Sequence, residues 1–152
     1  MDDRRNQGGQ RFVLLRHELP ESAERGSHWD LMLENRGVLL TWELPQLPPG
    51  PLPATFEQLG IRLLPSHRIE YLEYEGPVSD DRGTVRRVDC GAYQLTNTSA
   101  GAIKVNAIGS RFHIELLVLK AIFQQIDEPT SKVAEVIQFL DLSKVSRDGA
   151  YG

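Results

Sequence analysis

Apolar and polar positions alternate in short runs along this chain: RFVLLRH (11–17), HWDLMLE (28–34), GVLLTWEL (37–44), HRIEYLEYEG (67–76), GTVRRVDCGAYQL (83–95), AIKVNAI (102–108) and RFHIELLVLK (111–120). A period near two is that of a β-strand, whose successive side chains point to opposite faces. Valine, isoleucine, leucine, tyrosine and phenylalanine dominate the runs, and turn chemistry separates them, with Asn35-Arg36-Gly37 read as a hairpin turn. The pattern predicts an all-β, mainly antiparallel fold, whose open strand edges must be hidden in either a sandwich or a closed β-barrel. One C-terminal helix is expected where Val133, Val136, Ile137 and Leu140 follow Pro129-Thr130-Ser131. The proline-rich stretch from Pro45 to Pro53 cannot donate to a central ladder and reads as a stiff surface connection. Residues 1–10 and 143–152 are polar and aperiodic, so a single domain over 11–142 with loose tails is expected.

Composition narrows the function classes. The 152 residues suit one domain, and 25% charged with 40% hydrophobic residues argues against wholesale disorder. A net charge of −4 excludes bulk electrostatic coating of nucleic acid, so any such contact must be local. One cysteine, Cys90, permits no intrachain disulfide. The opening MDDRRNQGGQ has no apolar signal or spanning segment, which predicts a cytoplasmic protein with no membrane partner.

The run from His28 carries the chemistry. On a strand, His28, Asp30, Met32 and Glu34 share one side while Trp29, Leu31 and Leu33 anchor the other in a core. An i, i+2 imidazole and carboxylate lie within roughly 7 Å, close enough to clasp one divalent ion. His17 ends the preceding run, and if the two strands are neighbours it converges with His28 and Asp30. Two imidazoles and a carboxylate suit manganese, zinc or iron and leave coordination positions open. By spacing alone, satisfied core or surface histidines account for the pattern more simply than a metal site does.

The order of several runs adds a second line. FVLLRH, HWDLMLENRGVLLTWELP, SHRIEYLEYEGPV and GTVRRVDCGAY together resemble the signature of the 3′-phosphoesterase domain at the N-terminus of the bacterial DNA-repair polymerase-ligase, ligase D. The resemblance implies a compact barrel with an active-site crater and a bound divalent metal, manganese first and zinc second. It implies trimming of a nucleic-acid 3′ end, DNA or RNA-tailed DNA, beside a ligase or polymerase of end-joining repair. Carried over position by position, His17, His28 and Asp30 match metal ligands, with His28 also counted among the catalytic groups. His67 matches a histidine on the reacting phosphate, and Tyr71 a tyrosine beside it. Read as one strand, His67 and Tyr71 would share a face.

Departures from the pattern bear on phosphate binding. Met32 stands where the family has an arginine two residues past the metal-binding aspartate, and Gln46 where it has a lysine. A further family arginine falls near Leu59, with Arg62 in reach of the same region as a phosphate-binding group. Charge-assisted hydrogen bonds are about twice as strong as neutral ones, so these losses weaken phosphate binding unless another cation replaces them. Three functions follow in order: a metal-dependent phosphoesterase, a catalytically weakened metal-containing module that binds a nucleic-acid end or a partner, and an interaction protein without metal.

Overall fold

A computed structural model describes residues 10–98, 101–124 and 135–144. Among them are ten strands: β1 (Arg11–Glu18), β2 (His28–Asn35), β3 (Val38–Leu44), β4 (Ala54–Thr55), β5 (Arg62–Arg68), β6 (Gly76–Pro77), β7 (Thr84–Asn97), β8 (Ala102–Gly109), β9 (Phe112–Leu119) and β10 (Val136–Asp141). Nine form one path in the order β4-β10-β9-β8-β7-β1-β2-β3-β5, every pairing antiparallel, with β6 attached to β7. The sheet curls into a half-barrel, in agreement with the all-β expectation. No helix of the described residues is long and apolar enough to cross a membrane.

The tightest turn follows from its residues. Arg36 and Gly37 both have positive φ, 56° and 84°, which is the twist that a two-residue hairpin between antiparallel strands requires. It sets Asn35 opposite Val38 and thereby the whole β2–β3 register.

That register sorts side chains between two cores. Phe12, Leu14, Leu31, Leu33, Leu40 and Trp42 enter the main core, which also takes residues of β8, β9 and β10. Each fully buried aliphatic or aromatic side chain there contributes about 1.5–3 kcal/mol. On the other face, Val13, Leu15, Met32, Leu39, Leu72 and Val85 form a second, smaller core. Both faces of β2 are therefore covered, although Trp29 is only partly buried and stacks under Arg16 at 4.1 Å.

Two expected elements differ. The run over 67–76 is not one strand: β5 ends at Arg68, and Ile69–Leu72 form a 3-10 turn. Residues i and i+3 eclipse in such a turn, so Ile69 and Leu72 both reach the smaller core. The helix expected around Val136, Ile137 and Leu140 is instead strand β10, and Val133 lies outside the described residues. Pairing with β9 and β4 decides the matter, because it buries Ile137 and Phe139 on alternate positions. The helical pieces near the C-terminus are short, Ala121–Gln124 and the 3-10 turn Leu142–Lys144. The proline-rich stretch joins β3 to β4 outside the sheet.

Candidate metal centre

Strand pairing brings the three expected ligands together. His17 lies directly across from His28 in the β1–β2 ladder, and Asp30 is one pleat further along β2 on the same face. The two rings stand 4.9 Å apart at 59°. His17 Nδ1 is 3.6 Å from Asp30 Oδ2, and His28 Nε2 is 3.3 Å from Asp30 Oδ1. One ligand atom from each residue falls within 4.8 Å of the others. The group faces the smaller core, opposite the main one.

Backbone carbonyls set the tautomers. His17 Nε2–H donates to the Arg82 carbonyl at 2.7 Å, and His28 Nδ1–H donates to the Gly26 carbonyl at 3.0 Å. In the neutral rings this leaves two lone pairs without backbone partners: His17 Nδ1 beside Asp30, and His28 Nε2 between Asp30 and the Arg25 guanidinium, whose Nη2 donates to it at 3.4 Å. Outer hydrogen bonds of this kind orient histidines for metal binding. Asp30 Oδ1 is buried and has no hydrogen-bond partner, although a buried polar atom normally has one. Two lone pairs and an unsatisfied carboxylate oxygen, directed at one point, fit a divalent cation.

Electrostatics agree. Burial pushes the Asp30 carboxyl up, but the His17 and His28 imidazoles outweigh it and bring it down to about 2. Burial likewise pushes His28 down, yet Asp30, the Gly26 carbonyl and Glu43 together raise it above its ordinary value. The charged carboxylate is thus the stable form of Asp30 even though it is only 4% exposed.

The three candidate ligands lie in a crater of about 420 Å³ whose wall includes Met32, His67 and Tyr71. His67 reaches it through an irregularity in the ladder: Glu43, Thr41 and Leu39 face Arg62, Leu64 and His67, so one extra residue of β5 re-aims His67 onto the ligand face. Its Nδ1–H donates to the Pro65 carbonyl at 3.0 Å, which leaves Nε2 for other contacts. Tyr71, carried by the 3-10 turn and not by the strand, meets His67 edge-on with centroids 5.9 Å apart. The two expected residues are adjacent, but a turn and not a shared strand face makes them so.

Arg62 does not line the crater. It lines an adjoining hollow of about 600 Å³ with Arg25, Arg68, Arg82 and His67, and its Nη2 donates to both Glu43 oxygens at 3.3 Å. Gln46 is exposed beyond the end of β3. Glu34 and Glu75 serve the scaffold: Glu34 takes the Arg11 guanidinium at 2.9 and 3.2 Å, and Glu75 accepts from the Arg87 amide at 2.6 Å. His113 lies on β9 beside Asn106 at 3.2 Å, outside the crater lining, and Cys90 is exposed.

Two features of the site carry no signal in strand periodicity. Arg25, on the loop between β1 and β2, bonds Glu43 and approaches His28 Nε2 at 3.4 Å. The Arg82 carbonyl that holds His17 belongs to the backbone, where residue type is uninformative.

The family model described as DNA Ligase D 3'-phosphoesterase domain matches residues 20–120, a span that holds His28, Asp30, His67 and Tyr71, with His17 just ahead of it. A search of curated proteins gives no match. The matched span contains all of the crater lining except His17 and Leu19 and most of its sheet, and the chain belongs to the DNA ligase D 3′-phosphoesterase domain family.

Proposed function

We propose that this protein is a divalent-metal-dependent 3′-phosphoesterase, manganese first and zinc second, that trims nucleic-acid 3′ ends of DNA or RNA-tailed DNA in end-joining repair. The observation that carries it is the buried, unsatisfied Asp30 Oδ1 facing two imidazole lone pairs on the floor of a crater that His67 and Tyr71 overlook. His17, His28 and Asp30 would hold the ion, whose charge would polarise a phosphoryl oxygen and make hydroxide accessible near neutral pH.

The chain's own groups do the rest. The Arg82 and Gly26 carbonyls keep both ligand rings in the tautomer that binds. His67, its Nδ1–H committed to Pro65, offers Nε2: protonated, it donates to a phosphate oxygen or to the leaving oxygen. Tyr71, against the His67 ring, limits where the phosphate can sit. Arg62 and its neighbours supply positive charge to the approach, a local patch on a chain of net charge −4. A ligase or polymerase of end joining would receive the trimmed end.

A primer strand ending in a 3′-phosphate or a 3′-ribonucleotide, incubated with manganese, tests this. Wild-type protein should release product, and His28→Ala should lower the rate by more than about a hundredfold, since even the outer partners of metal ligands are worth about 10- to 100-fold. Equal rates would contradict the proposal. The weakened binding module rests on Met32 and Gln46, and calorimetry beside the same assay separates it: manganese and oligonucleotide bind, and no product forms.

A further inference from the structure

If the proposed function holds, a second cation beside the ion would strengthen phosphate binding through charge-assisted hydrogen bonds, and the position two residues past Asp30 does not supply one. Met32 is 1% exposed and gives the crater an apolar surface. Of the arginines around the site, Arg68 and Arg62 line the outer hollow and not the crater. Arg82 lines both, but its guanidinium is held by the Ser79 carbonyl at 2.9 Å and the Ser79 hydroxyl at 3.0 Å. Arg25 also lines both, and its Nη2 is 3.4 Å from His28 Nε2, beside the point where the ligand atoms converge.

We propose that Arg25, on the loop between His17 and His28, is the phosphate-holding cation of this centre, exchanging Glu43 for an oxygen of the bound phosphate while Arg62 keeps Glu43 neutralised. The inference rests on the function proposed above and assigns its missing charge. Two arginines share one carboxylate: Arg25 Nη2 donates to Glu43 Oε1, and Arg62 Nη2 spans both oxygens. Removing Arg25 from this trio leaves a neutral pair, so no carboxylate is stranded in its largely buried position. The Arg25 side chain is 52% exposed and belongs to a loop, which gives it freedom to turn. A phosphate bound at the crater would receive from Arg25 a planar fork of charge-assisted hydrogen bonds, stronger than a screened pair at the rim.

Calorimetry on wild type, Arg25→Gln and Arg25→Lys tests the assignment with three titrants: manganese, inorganic phosphate and a short 3′-phosphorylated oligonucleotide. Arg25→Gln should bind manganese as tightly as wild type or more so, because a neighbouring cation is gone. It should bind both phosphate probes at least about tenfold more weakly. Arg25→Lys should fall between, keeping the charge without the fork. Unchanged phosphate affinity in Arg25→Gln, with wild type still a manganese-dependent phosphoesterase, overturns the Arg25 assignment alone. So does a loss of manganese affinity equal to the loss of phosphate affinity, since Arg25 would then support the ligands. Wild type that binds no manganese overturns the proposed function instead; the phosphate titrations on metal-free protein then decide Arg25, with the same loss expected.

Discussion

Asp30 illustrates how a side chain's surroundings set its behaviour. Its folded value near 2 lies below the ordinary 3.8 of an aspartate, and that of His28 lies above the ordinary 6.5. The Asp30 contribution to stability is complete above about 3.8 and is lost as pH falls toward 2. The His28 contribution is complete below 6.5 and is lost as pH rises through its folded value. In the metal-free protein, the stability difference between wild type and Asp30→Asn should therefore be largest at about pH 4–6.5 and shrink on either side, measured by urea unfolding across pH. A difference independent of pH would mean that the carboxylate and imidazoles do not interact. Manganese affinity should run the other way and rise with pH, since the metal takes the neutral rings. At this scale the sequence was informative where a residue's position along a strand decides its direction, as for His28 and Asp30. Arg25 escaped because loop residues obey no period, and the Arg82 carbonyl because any residue has one.

Elements act on the site through their turns and ladders. Gly83 has φ +87°, and a Cβ there would lie 1.9 Å from the Glu18 carbonyl oxygen, next to the residue whose carbonyl holds His17. Gly83→Ala should push that turn off β1, release the His17 tautomer and weaken manganese binding by about 10- to 100-fold, read by calorimetry. Full affinity in this variant would contradict the role given to the Arg82 carbonyl. The β8–β9 hairpin depends on Asp89, which is buried and accepts from the amides of Cys90, Ser110, Arg111 and Phe112 and from the Ser110 hydroxyl. Asp89→Ala should destabilise the protein by about 3–5 kcal/mol through orphaned donors and lower the Tm by about 6–20 °C. A thermal scan within about 2 °C of wild type would contradict it. Strands were legible wherever apolar alternation was long. β10 was not, because Val136, Ile137 and Leu140 also satisfy a helical spacing, and only the partners β9 and β4 select the extended form. Tyr71 was assigned to a strand for a related reason: Ile69 and Leu72 suit the smaller core only in a tight turn.

At the scale of the whole molecule, one curled sheet separates stability from chemistry. Its inner face carries the large apolar core, and its other face carries the three candidate ligands above a small core that the 3-10 turn and β6–β7 region help to cover. This division was only partly visible in the chain, since periodicity divides the side chains of a strand between two faces without saying that both are buried. The acidic net charge is distributed so that four arginines gather at the hollow beside the crater, a placement that composition cannot reveal. The central claim is that His17, His28 and Asp30 hold one divalent ion where phosphate is cleaved. Anomalous diffraction from crystals soaked in manganese and phosphate tests it most directly. The expected result is a single manganese peak about 2.0–2.2 Å from His17 Nδ1, His28 Nε2 and an Asp30 oxygen, with phosphate on its open side. A manganese peak elsewhere, or an empty crater at saturating manganese, would contradict it.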